Sequence, residues 1–223
     1  MCLIVINEKP GCGGVPKKTL ELGATRNKDG AGIAWIDGDV VRWKKGITDF
    51  NEIFEIAENV PSPHLIHFRL STIGGDNSQL THPFPVTADC SVDLEGTAPA
   101  VISHNGIWSS WQQCVIALLN KDNILPSGPW SDTRGIAWTT FHHGEGLLDL
   151  IGEKVGLLTP QGITAYGKGW YRDNFNDLLL SNNPYESTMN GGYWVSENEE
   201  WEFKQNSQNN YSRVRHCGGY EYD

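Results

Sequence analysis

The sequence is short of basic residues. Its 17 Lys and Arg stand against 27 Asp and Glu, which gives a net charge of −10 at pH 7. Affinity for a phosphate backbone comes from clustered Lys and Arg, so the charge balance argues against nucleic acid as a partner. No apolar run approaches the roughly 18 residues that a membrane-spanning helix needs. We therefore expect no nucleic-acid partner and no membrane association.

Cysteine pairs with the spacing of metal or redox sites are also missing. The five cysteines are odd in number, scattered and never form a Cys-x-x-Cys: Cys2, Cys12, Cys90, Cys114 and Cys217. This pattern favours reduced thiols and a cytoplasmic location over a disulfide framework or a zinc site. The N-terminus has no cationic region and only a short apolar stretch, which predicts no signal peptide. Adjacent residues on a helix diverge by about 100°, so His142 and His143 cannot share an ion, and we predict no metal and no cofactor.

What the chain does have is enough apolar material for a core, at 39% hydrophobic residues in 223. Short β-branched or alternating runs predict strands over 3–7, 31–36, 40–44, 64–68, 100–103, 155–159 and 163–166. Helical spacing predicts helices over 50–57, 113–119 and 133–141, with Asp49 capping the first and Ser131 or Asp132 the last. This order of elements indicates an α+β fold and not a regular βαβ alternation.

The composition changes at about residue 181, where Asn, Ser, Tyr, Gly and Glu begin to dominate. We therefore predict one domain over 1–180 and a polar C-terminal extension over 181–223. The extension is either loosely ordered or packed through Trp194, Trp201 and Phe203. Its composition is also compatible with a tail that docks a partner.

The first residue of chemical interest is Cys2. Removal of an initiator Met is general when the next side chain is small, and it would leave Cys2 with a free α-amine of pKa about 7.7–8.0. A thiol and an amine on one residue supply a nucleophile together with its own general base. The alternative is a small hydrophobic residue with no chemical role.

Two strand ends carry further polar groups. Arg69 follows a predicted buried strand, where its guanidinium needs an anion, and Thr72 can add a hydrogen bond to a bound carboxylate. Asn105 and Gly106 follow another strand, and a side-chain amide next to a backbone N–H suits a developing oxyanion. The alternatives are a structural salt bridge at Arg69 and an ordinary Asn-Gly turn.

A carboxylate at the start of the last predicted helix completes the set. Asp132 could bind a substrate ammonium, or it could cap the helix, which is the more frequent role of such a residue.

These motifs, in this order, resemble those of the class II glutamine amidotransferases, which belong to the N-terminal-nucleophile hydrolases. The matching segments are Cys2 after Met1, His-x-Arg-x-Ser-Thr at 67–72, Thr-His-Pro at 81–83, His-Asn-Gly-Ile at 104–107 and Ser-Asp-Thr at 131–133. The stretch 27–32 resembles the Asp-Gly-x-Gly signature of that family. The resemblance covers Cys2 to about residue 170.

The chain departs from the family pattern at three places. Leu3 follows Cys2 where the family usually has Gly or Glu, and 24–28 replaces the usual His-Arg-Gly-Pro. A turn-rich insertion occupies 89–99. We expect these differences to affect substrate contacts but not the nucleophile.

The resemblance implies specific roles. Cys2 would attack the side-chain amide of L-glutamine and form a thioester, with Asn105 and Gly106 as the oxyanion hole. Arg69 and Thr72 would hold the substrate carboxylate and Asp132 its ammonium, while His82 and His104 would shape the substrate pocket by hydrogen bonding. The implied activity is that of a glutaminase, a hydrolase step within an amidotransferase.

The resemblance also implies a four-layer αββα sandwich. No Gly-x-x-x-x-Gly-Lys-[Ser/Thr] loop occurs, so we expect a separate synthetase or ligase partner to activate the acceptor and receive the ammonia. Two alternatives remain open at this stage. One is an amidase acting on a γ-glutamyl or other amide without transfer, and the other is a non-catalytic binding or assembly module.

Overall fold

The computed structural model describes residues 2–8, 14–71, 77–119 and 124–185, together with the backbone of 192–197 and 200–205. The chain divides into two units, Met1–Pro184 and Tyr185–Asp223. The strands of the first unit are β1 (Leu3–Asn7), β2 (Ala31–Asp37), β3 (Val40–Ile47), β4 (His64–Phe68), β5 (Phe84–Pro85), β6 (Glu95–Ala98), β7 (Val101–Asn105), β8 (Lys154–Thr159), β9 (Gly162–Tyr166), β10 (Tyr171–Asp173) and β11 (Leu178–Leu180). Its α-helices are α1 (Lys17–Arg26), α2 (Phe50–Asn59), α3 (Trp111–Leu118), α4 (Asp132–His143) and α5 (Gly146–Ile151), and a 3₁₀ turn spans Ser78–Leu80.

The second unit contains a β-hairpin. Strands β12 (Gly192–Glu197) and β13 (Glu200–Gln205) pair antiparallel, with Trp194 opposite Phe203. The side chains of Trp194, Trp201 and Phe203 are outside the described part of the structure. Their predicted packing therefore stays a prediction. Ser181–Pro184, which composition assigned to the extension, belong to the first unit.

Two antiparallel sheets and the helices packed on them form the first unit, which confirms the predicted mixture of helices and strands. The larger sheet has the order β10-β11-β1-β4-β2-β3-β6 and the smaller one the order β5-β7-β8-β9. Strand β1 lies inside the larger sheet, with β4 on one side and β11 on the other. All five of its residues are buried, as expected of an apolar strand covered on both faces.

The two sheets pack against each other through apolar side chains. One cluster joins Val41 and Trp43 of the larger sheet to Val101 and Leu158 of the smaller one. Gly156 permits a close approach, because a Cβ built there would lie 2.6 Å from a methyl carbon of Leu65. Strands β1, β4 and β7, next to which the candidate functional residues lie, are therefore anchored by buried apolar side chains.

Helices pack against both sheets. The buried residues of α4 and α5 form a core cluster with residues of β7 and β8, while α1 and α2 lie against the larger sheet. Helix α1 was not predicted, because it has few apolar residues and Gly23 interrupts its pattern. Gly23 is needed there, since a Cβ at this position would come within 2.5 Å of the Phe68 ring.

Several local predictions are confirmed. Asp49 caps α2, and its Oδ1 accepts a hydrogen bond from Asn51 N at 2.9 Å. Ser131 caps α4 by accepting from Arg134 N at 3.2 Å.

Part of the stretch interpreted as a turn-rich insertion forms β6, the edge strand of the larger sheet. The described residues include no helix of the length and apolarity that a bilayer crossing requires, and Cys2, Cys90 and Cys114 are free thiols.

Lys45 is an unexpected buried cation in β3. It is 2% exposed, its Nζ donates to the Gln79 carbonyl oxygen at 3.1 Å, and Nζ lies 3.9 Å from the centroid of the Phe84 ring. Burial lowers the pKa of Lys45 from 10.5 to about 7, because an ammonium loses hydration in the interior.

Lys45→Met is expected to stabilise the protein more at pH 7 than at pH 9.5. An unfolded lysine keeps its proton up to about pH 10.4, whereas folded Lys45 loses it near 7. The free energy of unfolding of the wild type therefore rises with pH between the folded and the unfolded pKa of Lys45, by at most about 5 kcal/mol. The variant lacks this rise. Urea unfolding of both proteins at the two pH values measures the effect. The exposed neighbour Lys44, paired with Glu52 at 2.6 Å, supplies the control Lys44→Met, and a pH-independent difference for Lys45→Met would contradict the expectation.

Candidate active site

A small cavity opens where β1 begins, where β4 and β7 end and where α4 begins. The residues around it come from five separate segments of the chain: Cys2, Arg69, Leu70, Ser71, Leu80, His82, His104, Gly106, Ser131, Asp132 and Thr133. Most of the residues singled out in the sequence thus line one cavity. Thr72, predicted to bind the substrate carboxylate, lies outside the described residues.

The Cys2 thiol is held against the backbone that follows β4. Its Sγ accepts from Leu70 N at 3.4 Å, and the thiol contacts the Leu70 carbonyl oxygen at 3.5 Å. Burial raises the pKa of Cys2 above its ordinary value of 9.0, although the Leu70 N–H lowers it in part. The thiol is therefore protonated at neutral pH, and a base must remove its proton before or during an attack.

Arg69 brings a buried cation to the cavity. It is 5% exposed, and its Nη2 donates to Ser71 Oγ at 3.1 Å. The following loop is fixed from the other side, because Asp29 Oδ2 accepts from Ser71 N at 2.6 Å. Asp29 belongs to the segment that resembles Asp-Gly-x-Gly, so this segment holds the loop that carries both Arg69 and the thiol contact.

The same segment contains a glycine with no room for a side chain. A Cβ at Gly32 would lie 2.0 Å from the His82 carbonyl oxygen and 2.8 Å from Lys45 Cβ. Both neighbours are within the core, so neither can move away without loss of packing. Gly32 therefore allows β2 to approach the loop that places His82 in the cavity wall.

Asn105 and Gly106 lie at the end of β7, but they face different neighbours. Gly106 lines the cavity, whereas Asn105 is not one of the residues that line it. Asn105 is 8% exposed, and its Nδ2 donates to Ser181 Oγ at 2.8 Å. One N–H of the Asn105 amide is thus hydrogen-bonded to Ser181. Because the amide group is planar, this contact also fixes the direction of the second N–H.

Asp132 lines the cavity without capping α4, since Ser131 provides the cap. Its Oδ2 accepts from Trp108 N at 3.2 Å and its Oδ1 from Thr133 N at 2.8 Å. Oδ2 also lies 3.7 Å from Nδ1 of His104. The side chain is 18% exposed, so a carboxylate remains accessible from the cavity.

His82 and His104 are buried and uncharged. His82 Nδ1 accepts from His104 N at 3.4 Å, and Nδ1 of His104 lies 3.2 Å from Thr133 Oγ1. Burial lowers the pKa of both rings. The His67 ring lies 4.0 Å from that of His82 between centroids, and burial lowers the pKa of His67 to about 3. Such rings are weak bases, which fits a role in shaping the pocket.

Sequence reasoning missed Ser181 and Asn182, which it placed in the polar extension. Ser181 is fully buried, and its Oγ accepts the hydrogen bond from Asn105. Asn182 Nδ2 donates to the Cys2 carbonyl oxygen at 2.6 Å. No local pattern marks them, because they are two polar residues at the start of a polar stretch. Among the described residues, no group of three or more His, Cys, Asp or Glu side chains is arranged to hold a metal ion.

The fold is similar to that of a solved amidotransferase structure, in line with the resemblance seen in the sequence motifs. A solved structure that shares it is the glutamine phosphoribosylpyrophosphate amidotransferase of B. subtilis complexed with ADP and GMP, with a TM-score of 0.55 and 16% sequence identity. A second similar structure, described as the allosteric regulatory enzyme of purine biosynthesis, has a TM-score of 0.48 and 13% identity. Each comparison covers 94% of this chain and 50% of the other, so the chain spans about half the length of these proteins. No family model and no curated protein matches the chain.

Proposed function

We propose that the protein hydrolyses the side-chain amide of L-glutamine to glutamate and ammonia, with Cys2 as the nucleophile. The observation that carries this proposal is the meeting of Cys2, Arg69 and Asp132 in one cavity. Glutamine carries an α-carboxylate, an α-ammonium and a distal amide. A buried guanidinium, an accessible carboxylate and a thiol are complementary to these three groups.

The chemistry follows from those positions. Cys2 Sγ forms a bond to the amide carbon while the α-amine, exposed by loss of Met1, takes the thiol proton. The Gly106 N–H and the second N–H of Asn105 stabilise the oxyanion. The C–N bond then breaks while the α-amine returns its proton to the departing nitrogen. Ammonia is released, and the glutamyl group remains bound to Cys2 as a thioester. Water attacks this thioester, releases glutamate and restores the thiol.

The pKa shifts support the α-amine as the base. Burial keeps the pKa of the Cys2 thiol above 9.0, so little thiolate exists at neutral pH. His104 and His82 have lowered pKa values and attract protons weakly. An α-amine of pKa about 7.7–8.0 is the stronger acceptor near neutral pH.

We expect kcat/KM for glutamine to rise from pH 6 to pH 8.5 with a midpoint near the α-amine pKa, about 7.7–8.0. The sign follows because only the unprotonated amine accepts the thiol proton. Initial rates at fixed ionic strength measure the profile. A midpoint above 9 would instead assign the limiting ionisation to the thiol itself and would remove the amine from the mechanism.

We propose further that the two sheets and their covering helices form the four-layer αββα sandwich of the N-terminal-nucleophile hydrolases. The ammonia would pass to a separate synthetase or ligase partner that activates the acceptor. The location that the reduced cysteines favour is the cytoplasm. The domain boundary would lie near residue 184, with the polar extension after it.

The first experiment is glutamate release from L-glutamine by the purified full chain, with intact mass to establish that Met1 is absent. Glutamate release would support the proposal. Release from a γ-glutamyl compound but not from glutamine would favour the amidase alternative. If neither substrate is turned over, titration with a glutamine-analogue electrophile decides the question, because failure to label Cys2 would overturn the proposal in favour of a non-catalytic module.

A further inference from the structure

The nucleophile and the oxyanion donor lie on different sheets. Cys2 precedes β1 of the seven-stranded sheet, and Asn105 ends β7 of the four-stranded sheet. Their separation therefore depends on how the two sheets are joined at this end. A catalytic amide needs placement within a fraction of an ångström of the reacting oxygen, so a polar connection between the sheets bears directly on the reaction.

Ser181, which follows β11, makes that connection. Its Oγ accepts from Ile4 N at 2.8 Å and from Asn105 Nδ2 at 2.8 Å. Its own N donates to the Ile4 carbonyl oxygen at 2.9 Å. The Ser181 hydroxyl oxygen thus accepts the β1 backbone N–H in the place where a backbone carbonyl oxygen would ordinarily do so. The same oxygen also accepts a hydrogen bond from the Asn105 side chain.

Two neighbouring contacts fix Ser181 and the start of β1. The Ser181 carbonyl oxygen accepts from Nζ of Lys154, and Lys154 pairs with Asn105 in the β7–β8 register. Asn182 holds the Cys2 carbonyl oxygen. The segment 181–182 therefore touches the nucleophile residue, its strand and the oxyanion amide.

We propose that Ser181 is a positioning residue that sets the distance and angle between Cys2 and the Asn105 amide. An amide group is planar, so pinning one N–H on Ser181 fixes the direction of the other. This inference rests on the proposed glutaminase activity. It adds a residue that touches neither substrate nor thiol and acts through Asn105 and β1.

The test compares Ser181→Ala with Ser103→Ala. Ser103 is equally buried and lies on β7, but its Oγ has no hydrogen-bond partner among the described residues. Ser181→Ala should lower kcat for glutamine about 10- to 100-fold with KM nearly unchanged, and Ser103→Ala should leave both constants near wild type. Ser181→Cys, which keeps the side-chain shape with a larger, weakly accepting sulfur, serves if the alanine variant does not fold, and Ser181→Thr should restore part of kcat.

A second measurement reads the contact without activity. The side-chain ¹⁵N–¹H₂ signals of Asn105, identified by their loss in Asn105→Ala, should shift in Ser181→Ala and stay in place in Ser103→Ala. Unchanged Asn105 signals, or equal kcat losses in both serine variants, would overturn the inference. An inactive wild type with shifted Asn105 signals would instead reject the glutaminase proposal while supporting the contact between Ser181 and Asn105.

Discussion

Cys2→Ala should abolish the release of glutamate from L-glutamine while the protein still binds glutamine. The side chain supplies the only atom that we assign to covalent attack, and the Arg69 and Asp132 contacts do not depend on it. Alanine is also small, so Met1 removal is unaffected and intact mass can verify this. Steady-state turnover measures the first effect, and calorimetric titration of the inactive variant with glutamine measures the second.

The matched control for this result is Cys114→Ala. Cys114 is a second partly exposed free thiol, and it lies on α3, outside the cavity wall. Its replacement should leave turnover unchanged and should leave labelling by a glutamine-analogue electrophile intact. Turnover that persists in Cys2→Ala would remove the nucleophile assignment and leave the cavity as a binding site only.

Asn105→Ala should lower kcat by about 10²–10³ with little change in KM, as for loss of an oxyanion donor. The reason is that the oxyanion exists only after attack, so the ground-state complex does not use the donated hydrogen bond. Rates over a range of glutamine concentrations separate the two constants. A change mainly in KM would make Asn105 a substrate-binding residue instead.

Asn7→Ala provides the control for loss of a buried asparagine. Asn7 is 1% exposed, ends β1 on the side away from Cys2, and its Nδ2 donates to Ser62 Oγ at 3.0 Å. We expect its replacement to lower the free energy of unfolding by about 1–3 kcal/mol without a comparable loss of kcat. Equal kcat losses in the two variants would mean that Asn105 acts through general stability.

Elements with strong local signals were predictable from the sequence. The β-branched run of β1 and the Asp49 cap of α2 each depend on a few adjacent residues. Helix α1 and strand β6 were not predictable in this way. The first needs Gly23 because of Phe68, and the second is polar and becomes a strand only because it pairs with β3.

The candidate site was predictable only as a set of motifs. Each motif lies next to the end or the start of a strand or helix, and the resemblance to a family ordered them, but no periodicity shows that Cys2 and Asp132 share a cavity. Ser181 and Lys45 show the limit more sharply. Their roles depend on partners far away in sequence, and Lys45 follows Lys44, whose exposed ammonium pairs with Glu52, so two identical neighbours have opposite environments.

The interior position of β1 has a consequence for how the protein would lose activity. Strand β1 lies between β4 and β11 and is tied to Ser181. The part of the chain that aims the thiol cannot detach while the sheet remains intact. Inactivation by heat or denaturant should therefore coincide with global unfolding, so a simple activity assay would report the melting of the whole first unit.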